Sequence, residues 1–534
     1  MASHDLLVIY NAKVFTNHPV EPEVSALAVQ NGIVIAAGRE AEALGRRETN
    51  LTRIDLAGNV VWPGLVDSHL HLERYALGLD MVNCETENRE ICLNRVRERA
   101  LQTPKGQWIR GHGWNQNLWA EGFGNAKMLD KAAPHHPVYL TAKSLHASWA
   151  NSMALHLAGI NRDTPDPEDG MIERDNHGNP TGIFFEGAVG LIEKAIPEPS
   201  DEQVSEAIAK AIPGLWQLGL TGIHDFDQRR CFSALQLLQS TKRLKLRVVK
   251  SIPLENLPDA GALGLKTGFG NGFLWIGSVK LFADGALGPQ TAAMFQPYQG
   301  TTDHTGMLFL DAEEIFEHGC TAARNGLSLA VHAIGDRANH EVLNAYTQLR
   351  AFEAKHKLPA LRHRIEHLQI LDPADLERVA ALNIVASMQP IHATSDMDIA
   401  NLYWGERSAH AYPFSSLLKS GAVLSFGSDA PVESPNPFWG IHAAVTRRRQ
   451  NGKPGKEGWY PDQKITLQQA LAGYTTGPAY AAGTEKCQGI LAPGYWADLI
   501  VLKKNPFTID PEEIVQLQPI ATMIAGEWVW RSSF

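Results

Sequence analysis

Between residues 60 and 431 the chain carries eight short apolar segments of strand length. They read VVWPGLVDSHLHL (60–72), TGIHDFD (221–227), LRVVKSIP (246–253), LWIGSVKLFADG (274–285), LSLAVHAIGD (327–336), HRIEHLQI (363–370), IVASMQP (384–390) and VLSFGSDAP (423–431). Helix-like segments separate most of them, most clearly 202–218, 311–325, 338–356 and 373–382. Asp336 and Asp372 stand where N-caps for the last two are expected. Eight strands alternating with helices is the pattern of a (β/α)₈ barrel; an open doubly wound sheet gives the same alternation.

The two ends of the chain differ from its middle. LLVIYNAKVFT, SALAVQNGIVIAAG and TRIDLAGNVVWPG are β-rich, and Asn31-Gly32 is a hairpin turn signal. The last fifty residues return to that style in GILAPGYWADLIVL and PIATMIAGEWVW. The expected division is a composite β domain from 1–60 plus 485–534 around a barrel domain at 61–484. The first two apolar segments stand much farther apart than the roughly 30 residues of a βαβ unit. Residues 75–200 therefore read as an insertion within the barrel domain, expected to act as a substrate lid, with a Trp-rich stretch QWIRGHGWNQNLW.

Charge excludes one class of partner. The chain has 48 Lys+Arg against 58 Asp+Glu, a net charge of −10. A nucleic-acid surface needs clustered positive charge, so none is expected. No apolar run approaches the ~18 residues of a membrane helix, so no membrane partner is expected. The five cysteines have no C-x-x-C spacing and read as cytosolic thiols, which gives a cytoplasmic expectation. A homodimer is the default for such a protein.

The chemistry begins at His69-Leu70-His71. Side chains two apart on a strand share a face, so both imidazoles can hold one metal. Among 21 histidines in 534 residues, chance alone produces about one such pair, so the motif needs context. Context comes from Asp67, of the same parity, and from the other strands. His332, His367 and Asp429 also stand late in their segments, where a barrel places its functional side chains. Four histidines and a carboxylate make a borderline donor set for a divalent ion. Lys280 lies mid-strand among apolar neighbours, where lysine is rarely buried without a partner. One reading pairs it with Asp284; the other makes it a carbamate bridging two metals.

VVWPGLVDSHLHL, VKLFADGALG, VHAIGDRA, RIEHLQ and FGSDAPV resemble the amidohydrolase superfamily. More closely, they resemble its amidohydrolase-3 branch of metal-dependent hydrolases and N-substituted formamide deformylases. GHGWNQNLW, HASWANSMAL, PTGIFFEGA and GILAPGYWADLIVL extend the resemblance over nearly the whole chain. Ser144-Leu145 stand where this branch often has Asp-Gly. The resemblance implies a distorted TIM barrel with a composite β-sandwich and one or two divalent ions, with zinc the leading choice. It implies that His69, His71 and Asp429 bind the more buried metal and that His332 and His367 bind the second. Carboxylated Lys280 would bridge them.

The expected reaction is hydrolysis of a C–N bond in a small N-acyl, N-formyl or cyclic amide. Asp429 would act as general base and then acid. The alternatives are deamination, ester hydrolysis or isomerisation at the same site, and a non-catalytic metal-binding regulatory barrel. Candidate substrate contacts are Trp114, His146, His224, Gln389 and His392, with Glu186 a weaker one. Arg364 and Glu366 are expected to pair, either structurally or as support behind a ligand, and His363 to lie in the core.

Overall fold

A computed structural model describes residues 6–116, 119–142, 147–167 and 170–532. All eight apolar segments contain a strand of one parallel sheet: β1 (Leu65–Leu70), β2 (Leu220–Asp225), β3 (Arg247–Pro253), β4 (Leu274–Phe282), β5 (Leu329–Ala333), β6 (Arg364–His367), β7 (Val385–Met388) and β8 (Val423–Phe426). Each pairs with the next in chain order. Past its end, β8 meets β1 again. A parallel bridge joins Leu70 to Ala430. Asp429 N–H donates to His69 O at 2.7 Å, and His71 N–H to Ala430 O at 2.9 Å. Sequential order and this return contact make a nearly closed barrel and exclude the open sheet, whose strand order reverses at a switch point.

The first apolar segment is two elements rather than one strand. Val60–Pro63 belongs to a separate sheet, and β1 starts after Gly64. A Cβ at Gly64 would lie 2.3 Å from the Thr221 side chain, so β2 approaches too closely for any other residue. Helices Asp201–Gln217, Ala312–Arg324 and Asp336–His356, and the short turn of helix Leu376–Ala381, fall where the periodicity predicts. Asp372 caps a 3₁₀ turn by accepting from Ala374 N–H. Asp336 does not cap. It is the first helical residue after Gly335, and its carboxylate takes Phe295 N–H at 2.9 Å instead.

The β-rich ends form two sheets. Leu6–Tyr10, Leu27–Gln30, Ile33–Ala37 and Leu51–Asp55 make one. The other is six-stranded and joins Lys13–Phe15, Glu23–Val24 and Val60–Pro63 to Leu499–Leu502, Pro519–Ile524 and Glu527–Arg531. Ile9, Val29, Val61, Leu499 and Met523 share one buried core between them, a β-sandwich drawn from both termini. Asn31 and Gly32 have φ of 53° and 78°, the left-handed pair of a tight hairpin.

Residues Ala76–Gln203 form a second compact unit. Its six-stranded sheet runs in the order Gly170–Arg174, Pro180–Glu186, Ala147–Ala150, Val138–Ala142, Ile109–Trp114, Val82–Asn83. Trp114, Trp119 and Trp149 are buried in its core. No helix among the described residues is long and apolar enough to cross a membrane.

Candidate metal centre

The C-terminal ends of β1, β5, β6 and β8 bring His69, His71, His332, His367 and Asp429 together. Asp429 Oδ1 lies 3.5 Å from His69 Nε2 and 3.4 Å from His71 Nε2. The His367 ring is 4.8 Å from His69 and 4.5 Å from His332, centroid to centroid. Ligand atoms of His69, His367 and Asp429 lie within 4.8 Å of one another, a spacing that one ion can bridge.

The partners of the opposite ring nitrogens decide which nitrogen is open. A carboxylate or carbonyl oxygen only accepts, so the facing nitrogen carries the proton. His69 Nδ1–H donates to Glu366 Oε2 at 2.6 Å, and His71 Nδ1–H to Asp227 Oδ1 at 3.1 Å. His367 Nδ1–H donates to Gln389 Oε1 at 2.9 Å, and His332 Nε2–H to Gly285 O at 2.8 Å. His69, His332 and His367 are each left with one unprotonated nitrogen, which is the form a metal ligand needs; His71 faces a second carboxylate, Asp429, through Nε2. Burial, and then the Lys280 charge, lowers His69 to about 4 and His332 to about 3, and burial holds His367 well below the usual range. Burial also acts against the charge on His71, but hydrogen bonds to Asp227 and Asp429 outweigh it and raise that ring to about 9. Burial opposes the Asp429 charge, yet His71, His69 and His367 keep its carboxyl well below the carboxylate range.

The backbone at this site is strained. His367 has φ 73° and Asp429 φ 60°, left-handed values that residues other than glycine rarely adopt. Beside them, Asp67 is buried and accepts from His69 N–H at 3.1 Å and Ser428 N–H at 3.0 Å, and from the Ser428 hydroxyl. Burial raises its carboxyl to about 7. Between them, Gly427 leaves no room for a side chain: a Cβ would lie 2.5 Å from His69 N.

Lys280 does not pair with Asp284. The Asp284 carboxylate is spent on the backbone N–H groups of Ala293, Ile334 and Gly335, each within 2.9 Å. Lys280 Nζ is buried without a hydrogen-bond partner among the described residues, 5.0 Å from the Phe226 ring and 4.8 Å from the Phe282 ring. Burial lowers it to about 8. Phe282 ends β4, stays 48% exposed and lies 5.2 Å from the His332 ring, forming an apolar wall beside both groups.

The other residues singled out in the sequence fall in different places. Arg364 and Glu366 do pair, in a fork in which Arg364 also donates to Ser68 O and Ser387 Oγ. His224 lies under this fork with Nδ1 2.8 Å from Arg364 Nη1, so that nitrogen is engaged within the barrel rather than open to a substrate. Gln389 is fully buried and its carbonyl holds His367. His392 is parallel to His367 at 6.4 Å, and its buried Nε2 has no hydrogen-bond partner among the described residues. Trp114 is spent inside the second unit, where its indole N–H donates to Leu140 O at 3.0 Å. Glu186 belongs to the same unit and has φ 51°. His146 lies outside the described residues. His363 is a core residue stacked 5.2 Å from Tyr346.

The contact of Asp227 with His71 escaped the sequence reading, and Glu366, expected in a pair with Arg364 that is structural or supports a ligand, turns out to face His69. Asp225-Phe226-Asp227, two carboxylates at the C-terminal end of a barrel strand, was the available signal for the first.

Comparison with known proteins agrees with this architecture. A model described as "Amidohydrolase family" matches residues 52–530. The Bacillus subtilis protein YtcJ is 34% identical over 95% of this chain and 96% of its own length. An N-substituted formamide deformylase of Arthrobacter pascens is 29% identical over 97% of each chain. The crystal structure of an uncharacterised metal-dependent hydrolase from Pyrococcus horikoshii OT3 is 30% identical, with a TM-score of 0.80 over 95% of this chain and 99% of that one. The chain is an enzyme that belongs to the amidohydrolase family.

Proposed function

We propose that the protein hydrolyses the C–N bond of a small amide-like substrate, N-acyl, N-formyl or cyclic, at a divalent metal held by His69, His71, His332, His367 and Asp429. The observation that carries this reading is the set of open nitrogens. Three imidazoles, His69, His332 and His367, each spend one nitrogen on an oxygen acceptor and leave the other unprotonated, while His71 spends Nδ1–H on Asp227 and turns Nε2 to the buried Asp429 carboxylate, where an ion would displace its proton. Such a nitrogen-rich set with one oxygen suits a borderline ion of the zinc class. The similarity to the formamide deformylase points to the amide class.

A divalent ion bound there supplies Lewis acidity, lowering the pKa of water towards ~7 and polarising a carbonyl. The protein's own groups do the rest. Asp429 accepts a proton from the attacking water and delivers it to the leaving nitrogen, so one O–H and one C–N bond break while one C–O and one N–H bond form. Glu366, Asp227, Gln389 and the Gly285 carbonyl hold the four rings in their tautomers. His392 is our candidate for a hydrogen bond to the substrate, because its buried Nε2 has no partner among the described residues. Phe282 offers the substrate an apolar wall.

Lys280 is suited to carboxylation. Its amine adds to carbon dioxide, forming a C–N bond and releasing a proton. The product is an anion where an unpaired ammonium would otherwise face three metal-binding histidines. The absence of a hydrogen-bond partner and the lowered affinity for its proton support this.

The test is a screen of N-formyl amines, N-acyl amino acids, hydantoins and esters with metal-loaded and chelator-stripped protein. Chelator-sensitive release of amine from an amide is expected. Bound metal with no turnover of any class overturns the reading, and turnover of esters alone overturns the amide assignment. An intact-mass increase by one carbon dioxide, absent in Lys280→Met, checks the carbamate.

A further inference from the structure

We propose that Lys250, on β3 and outside the metal centre, is a positioning residue for His71 that acts through Asp225 and Asp227. The inference rests on the reading of His71 as a metal ligand.

Asp225, Asp227 and Cys231 form a second buried acidic group whose ligand atoms lie within 4.8 Å of one another. It has the donor spacing of a cation site, and Lys250 already supplies the cation. The Lys250 side chain is 2% exposed. Its ammonium lies 3.0 Å from Asp225 Oδ2, donates to Ser251 O at 3.0 Å and donates to Asp227 O. Three acceptors meet three N–H bonds, so none of its hydrogen-bonding capacity is left over.

These contacts fix Asp227 from both sides. Lys250 holds its carbonyl, and Asp225 Oδ2 accepts its N–H at 3.2 Å. The Asp227 carboxylate is then divided. Oδ1 accepts from His71 Nδ1–H at 3.1 Å, and Oδ2 accepts from Glu73 N–H at 2.6 Å and Arg74 N–H at 3.3 Å. Asp225 Oδ1 takes Leu72 N–H at 2.8 Å. The chain immediately after His71 is thus held at three successive N–H groups by two carboxylates, and among the described residues Lys250 is the ammonium bonded to both of these aspartates. Removing it leaves buried acceptors unmatched and frees the Asp227 peptide to turn. His71 then loses the acceptor that fixes its Nδ1 proton and aims Nε2 at the centre.

The experiment compares metal affinity, by competition with a chromogenic chelator, in the full-length parent, Lys250→Met, Asp227→Asn, the double variant and His71→Ala. Circular dichroism and urea unfolding report folding separately. Lys250→Met and Asp227→Asn are each expected to weaken zinc binding by roughly 10–100-fold, with the double variant little worse than either. The visible spectrum of cobalt-loaded Lys250→Met is expected to differ from the parent's. Parent affinity and spectrum in a folded Lys250→Met, with His71→Ala weakened, overturn this inference alone, whatever its effect on stability. Parent affinity in His71→Ala overturns the metal-site reading together with it. Should Lys250→Met not fold, Asp227→Asn decides, and parent affinity there overturns the relay.

Discussion

Glu366 accepts a hydrogen bond from His69 at 2.6 Å while Arg364 grips the same carboxylate from the other side. All three side chains are buried. Glu366 is therefore at once half of a buried ion pair and the group that sets a ring nitrogen.

Glu366→Gln should fail at both roles, each read by its own measurement. The amide leaves the Arg364 charge unmatched in the barrel, which costs about 3–5 kcal/mol when a buried pair loses one partner. It also weakens the hold on His69, and metal affinity should fall roughly 10–100-fold. Urea unfolding and chelator competition measure the two losses. Parent values in both would remove Glu366 from the site.

Asp429→Asn keeps volume and backbone but cannot take a proton. Turnover should fall by roughly 10²–10⁴-fold while the circular dichroism spectrum stays that of the parent. Near-normal turnover would show that another group moves the proton.

Acid stability follows from the buried histidines. His363 accepts from Leu329 N–H at Nδ1 and donates from Nε2 to Glu353, each at 3.0 Å, so the ring is neutral. Burial lowers His363 below its usual 6.5, and the hydrogen bond from His363 helps hold Glu353 below its usual 4.5 against burial. The unfolded chain therefore binds protons that the folded chain refuses, and stability is lost as pH falls through 6.5 and then 4.5. His69 and His332 add the same sign. His71, raised to about 9, acts oppositely: its contribution is present below 6.5 and is lost as pH rises towards 9. In metal-stripped protein, His363→Gln should retain both hydrogen bonds and shallow the fall in the urea midpoint between pH 6.5 and 4.5. An unchanged slope would assign the acid loss to other groups.

Gly427→Ala tests the crowding between the barrel's first and last strands. The added methyl meets His69 N and the Asp67 carboxylate at 2.5 and 2.7 Å, and an overpacked core site costs about 1–3 kcal/mol. The melting temperature should drop, and metal affinity with it, because His69 must move. Parent-like melting would mean that the two strands part more easily than their hydrogen bonds suggest.

The barrel strands were legible because each buried strand is a short apolar run, and His69 and His71 because strand parity puts them on one face. Closure was not legible, since a ring and an open sheet share the same alternation. Nor was the break at Gly64, where one apolar run serves two sheets. Trp114 and His224 show a different limit. Residue type suggests a polar ring near a substrate, but Leu140 and Arg364, brought by other strands, had already claimed those nitrogens. The left-handed backbone at His367 and Asp429 is only weakly signalled by residue type: Asp and His tolerate that region better than most side chains, but most of them do not adopt it.

The seam between β1 and β8 also governs when the centre can exist. Asp67 and Ser428, which bond across it, are 361 positions apart in the chain. Contacts of such separation form late, after the entropy of closing the intervening loop has been met. A growing chain exposes His69 and His71 long before Asp429 is made. On the proposed assignment of the ligands, metal capture by the complete donor set is then a final step of folding that reports on a finished ring, and half-built chains hold only a partial, weaker claim on the ion.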